Sequence, residues 1–146
     1  MDERTVRSSL LTWLASGFSA TSHKLFDDEP DDREALPEYV EFLVLVDDDE
    51  IARKSAPAVL TACVEARVVV KAGNRYRAEE LAAAVESLLE HAEVPIVDYD
   101  SSGETVGWAR FREPTTDDFT RLIRENTGVD GRWLCVVCEA RVEAAT

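Results

Sequence analysis

The stretch from Val59 to Ala72 constrains this chain more than any other. Leu60, Ala62, Val64, Ala66, Val68, Val70 and Ala72 alternate with Thr61, Cys63, Glu65, Arg67, Val69 and Lys71. A period of two places the first set on one face of a strand. That face is apolar throughout, and the other is mixed and largely wet. Such a strand belongs in an antiparallel sheet covered on one side. The cover follows directly in the sequence. Gly73-Asn74 breaks the strand, with Asn74 a turn residue that tolerates positive φ. Arg77 to His91 then holds Ala78, Leu81, Ala82, Val85, Leu88 and Leu89 at helical spacing, with Glu79, Glu80, Glu86 and Glu90 facing out. Burying two or three of those leucines against the dry face contributes roughly 1.5–3 kcal/mol each.

The remaining elements arrange themselves around this pair. Arg4–Ser16 predicts a first helix with a Val6, Leu10, Trp13 and Leu14 stripe, started by Asp2 and Glu3 and stopped by Gly17. Residues 18–26 read as a loop or, over His23–Phe26, a short strand. Tyr39–Val46 alternates and then becomes continuously apolar from Phe42, which predicts a strand near the sheet centre. Val94–Tyr99 contains Pro95 and reads as a short edge strand, followed by turn residues to Gly103. Thr105–Arg112 alternates as a further strand. Thr115 or Thr116 is expected to cap a short helix with Asp117 and Asp118 in its first turn and Phe119, Leu122 and Ile123 on its inner face, ending at Gly128. Trp133–Val142 is the last strand, and Ala144–Thr146 a frayed tail. Strand follows strand except where the helices intervene. The fold class is therefore α+β: a mostly antiparallel sheet with helices packed on one face, as a single domain over residues 1–146. Acidic loops interrupt it at about 27–35 and 47–57.

Composition narrows the partners. Thirty acids against 16 bases give a net charge of −14. Phosphates are repelled by such a surface, so neither nucleic acid nor an anionic membrane is expected as a partner. Three of the bases are lysines, Lys24, Lys54 and Lys71. An acidic, lysine-poor surface fits a salt-loving source, and equally an acidic protein from a GC-rich genome. No apolar run approaches the length of a membrane span. With three cysteines and a charged start at Met1-Asp2-Glu3-Arg4, no disulfide frame or signal peptide is expected, which points to intracellular synthesis.

No motif assigns chemistry. Cys135-Val136-Val137-Cys138 matches C-x-x-C, but inside a strand residues three apart point to opposite faces, so the thiols cannot share a metal. His23 and His91 stand alone, the latter placed to offset the dipole in the last turn of its helix. No nucleophile elbow, phosphate loop or dinucleotide fingerprint occurs. Asp47-Asp48-Asp49-Glu50 lacks the calcium-loop spacing and its glycine. We therefore expect no catalytic, cofactor-binding or metal-binding residues. What the sequence does offer is an interface. Arg67, Arg75, Arg77, Arg110 and Arg112 lie on strands or at turns against an acidic background. Arginine forks pair with carboxylates, so Asp47, Asp48, Asp49 and Glu50 of one copy could face these arginines on the next. Scattered surface neutralisation is the plainer reading.

The pattern also resembles a family. The N-terminal amphipathic helix, the Pro-led strand Leu36-Pro37-Glu38-Tyr39-Val40-Glu41-Phe42, the long strand Cys63–Ala72, the helix opening at Tyr76-Arg77-Ala78-Glu79-Glu80-Leu81 and the closing strand Trp133–Val142 resemble the tail terminator, or tail-completion, proteins of long-tailed phages and archaeal tailed viruses. The likeness lies in element order and texture. It implies a structural virion protein rather than an enzyme. Its expected form is a homo-oligomeric ring, typically a hexamer, that caps the tail tube and meets the head-to-tail connector protein. It would be made in the host cytoplasm and located in the tail or neck. A virus of a halophilic archaeon would suit the composition. Other readings stay open: another neck protein such as a head-closure or adaptor protein, or a small acidic α+β enzyme or ligand-binding module.

Overall fold

In the computed structural model, β3 (Val59–Val70) lies between β2 (Glu38–Asp48) and β7 (Arg132–Ala144), antiparallel to both. The structure describes residues 1–26, 33–48, 59–71, 74–100 and 103–145, without the side chains of Glu34 and Asp48. Among these residues the sheet order is β1 (Lys24–Phe26), β2, β3, β7, β5 (Thr105–Phe111), β4 (Glu93–Val97). A further strand, β6 (Thr115–Asp118), continues along the same edge of β7 that β5 occupies. Every pairing is antiparallel except β1 with β2, so the sheet is mixed.

The register aligns one apolar row after another. Val40, Phe42, Val44 and Val46 of β2 stand opposite Val68, Ala66, Val64 and Ala62 of β3. On the far side of β3 those four meet Leu134, Val136, Cys138 and Ala140 of β7. All twelve are buried. Two helices cover this face. α1 (Glu3–Gly17) brings Val6, Leu10 and Leu14 against β2 and β4, and α2 (Arg75–Leu89) brings Ala78, Leu81, Ala82, Val85 and Leu89 against β3 and β7. Asp2 caps α1 by accepting from the Thr5 N–H at 2.8 Å. Ser9, buried on α1, both accepts from the Val97 N–H at 2.9 Å and donates to the Val97 carbonyl at 3.1 Å, which ties the helix to β4 at the sheet edge.

Several expectations need correction. β2 is not central; Leu43 and Leu45 alternate onto the outer face, and Leu45 is 52% exposed. Asn74 does not turn with positive φ. At φ −75° it caps α2, its side chain accepting from the Arg77 N–H, so the helix starts two residues earlier than predicted. Among the described residues other than glycine, positive φ occurs at His91 (φ 52°), just past the end of α2 rather than in its last turn. Thr115–Asp118 is strand, not helix start. At 13 residues β7 outruns the seven of β5, and β6 pairs with the length left over, Leu134–Val137. The short helix α3 (Thr120–Thr127) begins later, with the Asp118 carboxylate accepting from the Thr120 N–H, and closes at Gly128 in the left-handed region at φ 69°. Its apolar residues do not form a buried inner face: Phe119 and Leu122 are exposed and Ile123 is partly covered, while only Thr120 of the helix is buried. So α1 and α2 share one face of the sheet, and α3 does not join them. Ala144 and Ala145 are not frayed: Ala144 ends β7, and the Ala145 N–H donates to Val106. The acidic loops expected at 27–35 and 47–57 fall largely outside the described residues.

Gly107 shows how tightly the sheet edge is packed. A Cβ there would sit 2.5 Å from the Glu143 carbonyl oxygen and 2.6 Å from the Met1 sulfur. Gly107→Ala is therefore expected to cost about 1–3 kcal/mol through overpacking. Urea unfolding monitored by circular dichroism checks this, and an unchanged midpoint would contradict the packing described.

Candidate interface on the outer sheet face

Residues with the opposite parity form the outer face. Tyr39, Glu41, Leu43, Leu45 and Asp47 of β2 run beside Val69, Arg67, Glu65, Cys63 and Thr61 of β3, and these beside Trp133, Cys135, Val137, Glu139 and Arg141 of β7. Near the Glu38–Val70 end, this face is roofed by the start of α3. A groove of about 360 Å³ opens there, lined by Tyr39, Val69 and Trp133 on the sheet and by Phe119 and Ile123 above. Its floor holds Glu41, Glu65, Arg67 and Cys135.

Glu41 explains the polar floor. It stands opposite Arg67 in register and is almost fully buried. A carboxylate cannot be buried bare, so it must be paired. Arg67 Nη1 approaches Oε1 at 3.4 Å, and the Arg33 guanidinium pairs with Oε2 from the other side. Arg67 Nε also lies 3.5 Å from Glu65. Glu65 in turn accepts from the Cys135 thiol at 3.4 Å. Burial, with the help of that carboxylate, pushes the Cys135 thiol up to about 12. The group is a protonated donor rather than an activated nucleophile. Cys138 points into the core and donates to the Arg112 carbonyl, its thiol pushed up to about 11 by burial. The two thiols of the C-x-x-C thus lie on opposite faces, as strand parity requires.

The predicted interface residues do not all come together. Asp47, Arg67 and Arg110 lie on the outer face, where Asp47, Thr61, Arg141 and Arg110 follow one another across four strands. Asp48 is the last residue of β2, and Asp49 and Glu50 lie outside the described residues. Arg112 follows β5, and its backbone N–H donates to Glu139. Arg75 and Arg77 are elsewhere, in the first turn of α2. Arg75 pairs with Glu79 one turn on. Arg77 makes a bidentate pair with Glu38 on β2, both bonds 2.7 Å, and also reaches Glu80 and the Ala20 carbonyl. It clamps the helix to the sheet. Glu41, Trp133 and the exposed side of α3 were not singled out in the sequence. Parity from Val40 already put Glu41 on the outer face, but nothing signalled its burial.

His91 has company that the sequence did not suggest. Its ring and the carboxylates of Glu90 and Glu113 bring one atom each within 4.8 Å of one another. All three side chains are exposed, and such meetings are ordinary in a chain with 30 acids. Among the described residues, no helix is long and apolar enough to cross a membrane.

Neither a protein-family model nor a curated protein sequence matches this chain. Among solved structures, the fold is similar to a chain from the virion of a native gene transfer agent particle, with a TM-score of 0.62 at 20% identity over 94% of both chains. The resemblance spans the whole architecture and is one of fold.

The Glu38–Arg77 pair gives a pH prediction. The Arg77 hydrogen bonds hold the Glu38 carboxyl below its ordinary range. A carboxyl depressed in the folded state contributes stability above its unfolded pKa and loses it as pH falls through the folded value. Glu38→Gln should therefore lower the melting temperature at neutral pH, and the gap to the parent should begin to narrow as pH falls below about 4, the ordinary glutamate range. Melting curves between pH 7 and pH 3 check this, and a gap that stays constant would contradict it.

Proposed function

We propose that this chain is a structural virion protein of the tail terminator kind, a ring subunit that caps the tail tube and joins it to the head connector. The observation that carries the reading is the fold likeness to a gene transfer agent virion chain, which extends over 94% of both molecules. The distribution of surface supports it. One sheet face is sealed by α1 and α2. The other face keeps a groove, paired charges and exposed apolar side chains, among them Leu45, Trp108, Phe119 and Leu122. A ring requires two different surfaces on each copy whose rotation closes, and a one-sided sheet leaves room for both. The interface assignment carries over as part of the proposal, with Asp47, Arg67 and Arg110 as its outer-face members. Arg77 is committed to Glu38 within the chain and serves the fold.

The same likeness supports another neck role, such as a head-closure or adaptor protein, because it is to a virion and not to a named position in one. The enzyme reading gains less. The groove's thiol is held protonated, and its buried carboxylate is neutralised by two arginines.

The purified protein, imaged by negative stain at low and multimolar salt and mixed with its tail tubes, should give annuli or capped tube ends. Binding to connector rings but not to tubes would favour the other neck role. Monomers alone under every one of these conditions would overturn the ring reading.

A further inference from the structure

The groove under α3 has a counterpart at the opposite end of the same strand. Leu45 and Asp47 project from the outer face near the end of β2, and both are exposed. Tyr39, at the groove, is six to eight residues away along β2, about 20–27 Å at the rise of a strand. The groove floor extends along the strand to Glu65, opposite Leu43, but its Trp133 end is too far from Leu45 for the two to meet within a molecule. Their chemistry is complementary. The knob offers an apolar side chain followed two residues later by a carboxylate. The groove offers Phe119 and Ile123 over Trp133, and beside them the half-exposed guanidinium of Arg67. α3 itself is amphipathic, yet its Leu122 is 54% exposed and its Ile123 only partly covered. Leu122 thus adds to the apolar surface around the groove mouth.

We propose that the Leu45–Asp47 end of β2 in one copy seats in the groove under α3 of the next. Leu45 enters between Ile123 and Trp133, and Asp47 meets the outward side of Arg67. Knob and groove are different surfaces, so a one-way contact between them is head to tail, the class of interface that a closed ring needs. It rests on the ring reading above and names the surfaces that reading leaves open.

The test uses cysteine pairs and one knob variant on the full chain. Chains carrying Leu45→Cys are mixed with chains carrying Ile123→Cys under mild oxidation, in a Cys63→Ser background because Cys63 lies beside Leu45 in the register. Cys135 lies on the groove floor, where it could capture the introduced thiol, so it is changed to Ser as well, and the core-facing Cys138 serves as the internal control. A disulfide-linked dimer is expected in the mixture and in neither variant alone. A chain carrying both cysteines should give a ladder that ends at the ring size; a doubly linked pair in place of the ladder would show reciprocal seating and overturn the head-to-tail contact. Leu45→Asp should weaken assembly by roughly tenfold or more, with a melting curve like the parent's, since the side chain is on the surface. If the parent forms annuli while the mixture gives no cross-link, or while Leu45→Asp assembles as well as the parent, this contact is wrong and the ring stands. If the parent never assembles, the ring reading falls and takes the contact with it.

Discussion

Everything in this molecule depends on one face of the sheet being dry from edge to edge. The antiparallel registers of β2, β3 and β7 put apolar residues opposite one another row by row. Slipping any of these strands by one residue would turn its whole apolar set to solvent. The two helices that close the face differ in how they are held. α1 is anchored at β4 by the Ser9 hydroxyl on the Val97 backbone, and α2 at β2 by the Arg77 fork on Glu38. Both anchors join a helix to a strand distant in sequence, so they fix the angle of the cover as well as its presence. With that side closed, the other side is free to carry features that would be liabilities in a core.

The outer face holds charge in a way that the net balance hides. In a chain carrying −14, the one acid sunk to near-complete burial in a strand is Glu41, among the described residues, and it has an arginine on either side. Removing a partner of such a group costs far more than a surface pair is worth. Arg67 is therefore both a strut for Glu41 and, with half its side chain exposed, a group that can still reach outward. The arginines on the helix surface are different. Arg75 and Arg121 each pair with a glutamate one turn on, an arrangement worth a few tenths of a kcal/mol. The arginine-rich texture of the sequence thus contains struts, a clamp and ordinary surface pairs together.

How far the sequence could be read follows from which signals are local. The period-two run of β3, the helical spacing after Asn74 and Pro95 in an edge strand are all short-range patterns, and each corresponds to an element of the structure. The misreadings come from partners distant in the chain. Phe42–Val46 reads as a run buried on both sides, but whether Leu43 and Leu45 are covered depends on what lies over the outer face. Thr115–Asp118 carries helix-start residues, yet an unpaired length of β7 claims it as a strand. Phe119, Leu122 and Ile123 have the spacing of a buried helix face, but the helix sits off the core. The groove was illegible for the same reason: its walls come from β2, β3, β7 and α3. The cysteine pair was legible because parity along one strand decides it.

The proposed function amounts to a division of labour, with one sheet face for folding and the other for contact with further copies. Hydroxyl-radical footprinting of the free protein and of the protein assembled on tube ends tests this division residue by residue. The account predicts that Leu45, Phe119 and Leu122 lose reactivity on assembly, while Leu81, Val85 and the other inner-face residues stay protected in both states. Equal reactivity of the outer-face residues in the two states, or protection gained only on the exposed sides of α1 and α2, would contradict it.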